Sequence, residues 1–406
     1  MILGASYAQL NAIKRASVSG IKVLATDYSK TSIGKMYADE HAFASTFDVD
    51  TTLKVAKDHH INGIMTTGTD QPVLTVSKIA QDLNLPSFLS IHTAYQVTHK
   101  KAMKKVFIDH NIPTVDYRVI DRKFSDDELK GLIFPVVVKP LDSQGQRGIY
   151  KLSTIEEIRR HFHLVLKHSR EQEIMVESYY ENNEITISGW VKNGQEKILT
   201  VTDRVTFQEE GNLGICLSHE FPSKHLPEYI DEIKAVTHEI VKAFKIKEGP
   251  IYFQMFIGEE GLKVNEIACR IGGAYEDEAI PVLTGVDILQ MVIDYSIGKE
   301  INYTALDQYD MTLNNLYASI QLFFLNEGVI NTMTPEDEIK KLEGIASIGY
   351  HYKVFEQVRP IENATARAGY AIVIGESQEQ LKYNLLQLYD KMQIVDNNNH
   401  NMVIHS

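Results

Sequence analysis

The sequence predicts a mixed α/β and α+β protein built from a Rossmann-like first unit, a larger middle unit and a small C-terminal α+β unit. Three observations carry this. Over residues 1–90, short apolar runs alternate with helix-length amphipathic segments, the pattern of a doubly wound parallel sheet. Over 91–302, strands follow one another through short turns, which argues for antiparallel pairing. Over 303–396, strand runs return and end in one helix, and 397–406 reads as an Asn-rich, frayed tail.

In chain order, "MILGAS" is a buried strand that runs into a turn at Gly4, and "YAQLNAIKRASVSG" is a helix stopped by Gly20. "IKVLATD" is a second strand ending in Asp27; "HAFAST", a helix near 49–60, a strand "INGIMTTG" and a helix 71–84 continue the alternation. A basic helix "THKKAMKKVFIDHN" then leads through Ile112-Pro113 to a strand. "PVVVKP", "EIMVESYY", "NEITISGWV" and "EKILTVTDRVTF" are further strands, and residues 226–245 carry apolar side chains at a 3.6 period. "IYFQMFIGEEGLKVNEIA" is a hairpin about Gly-Glu-Glu-Gly. "NLYASIQLFFL", "GIASIGYHYKVF" and "RAGYAIVIGES" are the strands of the third unit, before a helix at 377–392.

The 406 residues are 44% hydrophobic and 23% charged, ordinary globular material with enough length for about two to four domains. A formal charge of −13 argues against a nucleic-acid or membrane partner. Cys216 and Cys269 stand far apart without a CxxC, so neither a disulfide framework nor a structural zinc site is expected. No apolar run approaches transmembrane length and no signal peptide is recognisable, so the expected location is cytoplasmic.

The chemistry concentrates in the middle unit. Lys139 closes the wholly apolar strand "PVVVKP", where its ammonium has to reach water or an anion, and Lys100 in the basic helix offers a second cation. Taken singly, each is explained as a solvated surface charge. The loop "DSQGQRG" holds Ser143, Gly145, Arg147 and Gly148; glycine lets backbone N–H groups turn onto a phosphate, although a flexible hairpin would look the same. In "VESYYENNE", residues Glu177, Ser178, Tyr179 and Tyr180 suit a hinge for a nucleobase, and Glu184 suits a ribose diol; the plain alternative is a strand-turn with exposed acids.

"KVNEIACRIGGAYEDE" is the densest stretch. Gln254 on one hairpin strand and Glu266 on the next offer hard oxygens of the kind Mg²⁺ (or Mn²⁺) takes, and Arg270 can neutralise charge on a phosphoryl group. Glu276, Asp277 and Glu278 read as the first turn of a helix, with no catalytic role. The Gly4 turn with Asp27 leaves a nicotinamide-dependent oxidoreductase as another reading, with too few glycines for the dinucleotide fingerprint.

The order Lys100, Lys139, the 143–148 loop, Glu177, Glu184, Gln254, Glu266, Arg270 resembles an ATP-grasp enzyme across essentially the whole chain. "ILGASYAQLNAIKRA", "KVLATD" and "ADEHAF" look like the pre-ATP-grasp domain of the carbamoyl phosphate synthetase and biotin carboxylase branch. "NEIACR" is similar to the "NEIAPR" of the aminoimidazole ribonucleotide carboxylase ATPase subunit, and "TARAGYAIVIG" resembles the C-terminal domain of phosphoribosylglycinamide synthetases. The resemblance implies a two-lobed ATP-grasp domain binding ATP and Mg²⁺, with Lys139 and Arg270 acting on the phosphoryl group. It implies small-molecule carboxylate and amine substrates joined through an acyl phosphate, and a homodimer. It leaves two alternatives, a purine-pathway ligase and a nucleotide-binding protein without turnover. Ala268 stands where the family pattern E-x-N-x-R has Asn, which is what favours the second. Arg204 and Arg367 are candidates for a ribose-phosphate pocket.

Overall fold

The computed structural model describes residues 1–207 and 214–404. Three short parallel strands, Ile2–Leu3, Leu24–Thr26 and Glu40–Ala42, are hydrogen-bonded in that order. Helices Tyr7–Val18, Val49–Asp58 and Gln71–Leu83 alternate with them, as expected. The strand expected over 61–68 shrinks to a single bridge between Ile2 and Met65. Glycines explain this: a Cβ on Gly63 would lie 2.3 Å from the Ser296 carbonyl oxygen, and Gly68 turns the chain away at φ +70°.

The strands Tyr117–Ile120, Ile174–Ser178, Val136–Pro140 and Tyr150–Leu152 form a small antiparallel sheet in that order. Helix Ile155–Leu166 covers one face, where Val136, Val138, Ile174 and Val176 pack with Ile158, Phe162 and Val165. Alternation along a strand then turns Val137, Lys139 and Glu177 to the other face.

The large sheet is antiparallel, with nine strands among the described residues. Its path runs Gly261–Ala268, Gly249–Gly258, Asn183–Lys192, Gln195–Thr206, Cys216–Phe221, Tyr317–Leu325, Gly369–Gly375, Ile345–Tyr350. Ile185, Ile187, Phe253, Met255 and Val264 line one face and bury Ile233, Ile240 and Val241 of helix Leu226–Ala243 with Met103 and Phe107 of helix Lys100–Asp109. The polar side chains of the same strands therefore collect on the opposite face.

Strand pairing crosses the expected border at residue 302. Ser218 lies opposite Gln321 and Phe221 opposite Ala318, so the last strands extend the middle sheet. We keep the division at 90 and 302 as a proposal about cooperative units, not as a break in hydrogen bonding. The tail is ordered through residue 404 where fraying was expected, and its last two residues lie outside the described ones. Asp396 accepts from the N–H groups of Asn398 and His400, and Leu325 pairs with Val403. Met402 and Val403 are buried, and that apolar pair at the end of a polar run pins the segment. No single helix among the described residues is long and apolar enough to cross a membrane.

Candidate active site

Helix Lys100–Asp109 buries Lys100, Met103, Lys104 and Phe107, an i, i+3, i+4, i+7 face, while Lys101 and Lys105 point outward to Glu173 and Asp109. Two of its lysines are thus inside the protein. The Lys100 ammonium lies 2.8 Å from Glu266 and donates to the Ser143 carbonyl at 2.8 Å.

On the small sheet Val137 is directly opposite Glu177, and Lys139 is the diagonal neighbour on the same face. The Lys139 ammonium stands 2.7 Å from one Glu177 oxygen, and Lys104 stands 2.9 Å from the other. All three side chains are almost wholly buried. Burial pushes the Glu177 carboxyl up, but the two lysines outweigh it and hold it below the usual range. Burial likewise lowers Lys139, and Glu177 with Glu266 more than restores its proton.

The floor is the polar face of the large sheet. Arg204 lies opposite Glu184 and bonds it at 2.6 Å; Gln254 lies opposite both Thr186 and Glu266. Between Gln254 and Met255 the register slips by one residue, leaving Asn265 as a β-bulge. The bulge puts neighbours Asn265 and Glu266 on the same wall, and Asn265 accepts from Lys139 at 3.3 Å. Burial raises the Glu266 carboxyl, but Lys100 and Lys139 overcome it and hold it down to about 2.

These groups enclose a cleft of about 380 Å³ between the small sheet and the large one, within the range of small-molecule sites. Of the residues predicted from sequence, Lys100, Lys139, Ser143 and Gly145 line it, as do Glu177, Ser178, Tyr179, Tyr180, Glu184, Gln254 and Glu266. Three do not. Arg147 is exposed, and Gly148 closes the base of the loop against Pro140, Val165 and His168, so neither faces the cavity. Arg270 is buried but turned to Asp70 at 2.5 Å. Asp70 in turn borders a small cavity shared with Lys100, Gln144 and Glu266.

The donor set fits magnesium or manganese. Such ions take hard oxygens, one or two from protein and the rest from phosphate and water. Glu266 supplies a permanent carboxylate, and Gln254 turns its amide nitrogen to the Tyr252 hydroxyl at 3.5 Å, leaving its oxygen free. No group of three or more acidic, His or Cys ligands is found among the described residues, so a metal at Gln254 and Glu266 would take its other ligands from phosphate or water.

The dinucleotide alternative loses its space. The Asp27 carboxylate accepts from the N–H groups of Ala5 and Ser29, and Gln9 fills the Gly4 turn, where a Cβ would meet it at 2.8 Å. Glu276, Asp277 and Glu278 open helix Glu276–Thr284, as expected.

Sequence reading missed Lys104, Gln144 and Asn265. Gln144 lines the cleft and accepts the Asp70 N–H at 2.6 Å. Lys104 was legible in principle, four residues after Lys100 on one helical face. Asn265 was not, because strict alternation would turn it away from Glu266. Arg204 and Arg367 are both engaged: the first by Glu184, the second by the Gly273 carbonyl at 2.9 Å.

Residues 132–278 match the ATP-grasp domain family, and residues 321–396 match the L-amino acid ligase C-terminal domain 2 family. Dapdiamide A synthase of Enterobacter agglomerans is 19% identical over 275 residues, which is 65% of this chain and 64% of that protein. The chain therefore spans less than two thirds of this curated relative. The L-amino acid ligase structure from Bacillus licheniformis superposes with a TM-score of 0.80 at 16% identity, over 98% of both chains. The phosphoribosylglycinamide synthetase structure from Anaerococcus prevotii gives 0.77 at 20% identity, again over 98% of both. At such identities the likeness establishes the fold. The chain has the fold of these structures, and its residues 132–278 and 321–396 are similar to the ATP-grasp domain and the L-amino acid ligase C-terminal domain 2.

Proposed function

We propose that the protein is an ATP- and Mg²⁺-dependent carboxylate–amine ligase. The observation that carries this is the convergence of Lys100, Lys139, Gln254 and Glu266 on one cleft, under a matched ATP-grasp domain. In this reading Lys100 and Lys139 hold the phosphates, with Ser143 and the backbone at Gly145 over them. Ser178, Tyr179 and Tyr180 flank the base next to Glu177, and Glu184 takes the ribose. Gln254 and Glu266 hold the metal, which neutralises phosphate charge when bound. Arg270, assigned to the phosphoryl group in transfer, lies outside the cleft wall on Asp70, which borders the small cavity shared with Lys100, Gln144 and Glu266.

The substrate carboxylate attacks the γ-phosphorus and ADP leaves, giving an acyl phosphate. The amine nitrogen then attacks the acyl carbon, the bond to phosphate breaks, and the nitrogen gives up a proton. The match to L-amino acid ligase C-terminal domain 2 favours amino acids as substrates. The purine-pathway reading needs free cations for a ribose phosphate. Arg204 and Arg367 are occupied by protein partners, which weighs against it.

An ATP-consuming reaction of this kind fits the cytoplasm, and a homodimer is expected by analogy; light scattering on the purified chain measures the latter. The reaction is tested by phosphate release with a panel of amino-acid pairs, run beside phosphoribosylamine plus glycine. Amino-acid-dependent release supports the proposal. Release with phosphoribosylamine alone transfers it to purine chemistry, and ATP binding without turnover leaves a non-catalytic protein.

A further inference from the structure

Lys104 has no place among the groups that touch the cleft, yet it is the more deeply buried of the two lysines on Glu177, with a side chain only 1% exposed. A buried ammonium has to be compensated to be tolerated. Lys104 lies 2.9 Å from Glu177 Oε1 and donates to Thr114 Oγ1 at 2.6 Å. Thr114 donates onward to the Val264 carbonyl at 2.8 Å, and Val264 directly precedes Asn265 and Glu266. One chain of contacts therefore runs from the metal strand through Thr114 and Lys104 to Glu177. It continues through Lys139 back to Asn265.

Each Glu177 oxygen has its own lysine, and only Lys139 faces the cleft. A phosphate entering the cleft has to compete with Glu177 for the Lys139 ammonium. We propose that Lys104 is a positioning residue: it holds the Glu177 carboxylate in place and keeps it compensated when Lys139 turns to a nucleotide phosphate. Without Lys104, both Glu177 oxygens compete for Lys139, and the buried group of three loses the positive charge that attracts a polyanion.

The inference rests on the reading of the cleft as a nucleotide site, and the experiment separates the two. Binding of MgADP and of a non-hydrolysable MgATP analogue is measured by calorimetry on the full chain. The proteins compared are wild type, Lys104→Met, Glu177→Gln and the Lys104→Met/Glu177→Gln pair. Wild type binds. Lys104→Met weakens the analogue by about tenfold, equivalent to about 1.4 kcal/mol. The double variant recovers most of that loss, because Glu177 no longer competes for Lys139. A lysine that matters only for folding leaves the analogue affinity of the folded variants unchanged, even where the double variant regains stability. If Lys104→Met does not fold, Thr114→Val loosens the lysine at constant shape and is expected to weaken binding in the same direction. Unchanged affinity in the folded variant, or a double variant no better than the single one, overturns the inference alone. Wild type that binds no nucleotide overturns the cleft assignment and this inference with it.

Discussion

The guanidinium of Arg270 and the carboxylate of Asp70 meet at 2.5 Å across the junction between the first unit and the large sheet, the arginine buried and the aspartate half-buried. Asp70 begins helix Gln71–Leu83, and its own N–H donates to Gln144 of the glycine loop. The side chain expected to meet the transferring phosphoryl is thus oriented by a partner that also contacts the loop above the phosphates.

Arg270 is fully charged, with burial more than offset by Asp70. Arg270→Lys keeps a charge but loses the planar fork. It is expected to lower kcat by about a hundredfold, of the order measured for removal of one transition-state donor. MgADP affinity should stay within about threefold of wild type, because the residue lies outside the cleft wall. Steady-state kinetics with parallel calorimetry separates the two effects.

The Asn265 amide is placed by the bulge to accept from Lys139. Asn265→Ala removes a hydrogen bond to a charged donor, worth about 1.5–3 kcal/mol. The KM for ATP is expected to rise by about tenfold or more. An unaltered KM would mean that the bulge serves the strand and not the ligand.

Glu184 and Arg204 face each other as a largely desolvated pair on the cleft wall, with side chains 14% and 7% exposed. Burial pushes the Glu184 carboxyl up, and Arg204 works against it. Arg204→Met leaves the carboxylate uncompensated and is expected to cost about 3–5 kcal/mol of stability. Glu184→Gln/Arg204→Met should recover much of that. Chemical denaturation of the three proteins tests it.

Two histidines set an acid limit. His219, between the hydroxyls of Thr186 and Thr202, is held down to about 3 by burial and then by Arg204 and Arg367. His351, whose Nδ1 faces the Arg367 carbonyl, is also held down to about 3, mainly by burial. Both stay neutral in the fold but take a proton in the unfolded chain below about pH 6.5. The unfolded state therefore binds more protons between about pH 6.5 and 3. Stability should fall with acidification across that window, by up to about 1.4 kcal/mol per pH unit for each histidine. His219→Asn is expected to flatten the slope of unfolding free energy against pH from 6.5 downward.

Much of this arrangement was legible from the chain. Lys139 at the end of an apolar strand, Gln254 and Glu266 on paired strands, and the glycine at 145 follow from period-two alternation and turn chemistry. Arg147 was misread because composition says that a loop has donors, not which way they point. Asn265 was hidden by the one-residue slip that defeats alternation. The bridge at Met65 and the ordered tail depended on contacts with Ser296 and Leu325, residues far away in sequence. Ala268 lies opposite Tyr252, whose hydroxyl accepts from Gln254 at 3.5 Å.

In the proposed reaction Glu266 links the metal position to Lys100, whose ammonium lies 2.8 Å away. ADP formation by wild type and Glu266→Ala, with saturating ATP, Mg²⁺ and the amino-acid pair that best supports phosphate release, should differ by at least about a hundredfold. Turnover by Glu266→Ala at the wild-type rate would contradict the assignment of this cleft to phosphoryl transfer.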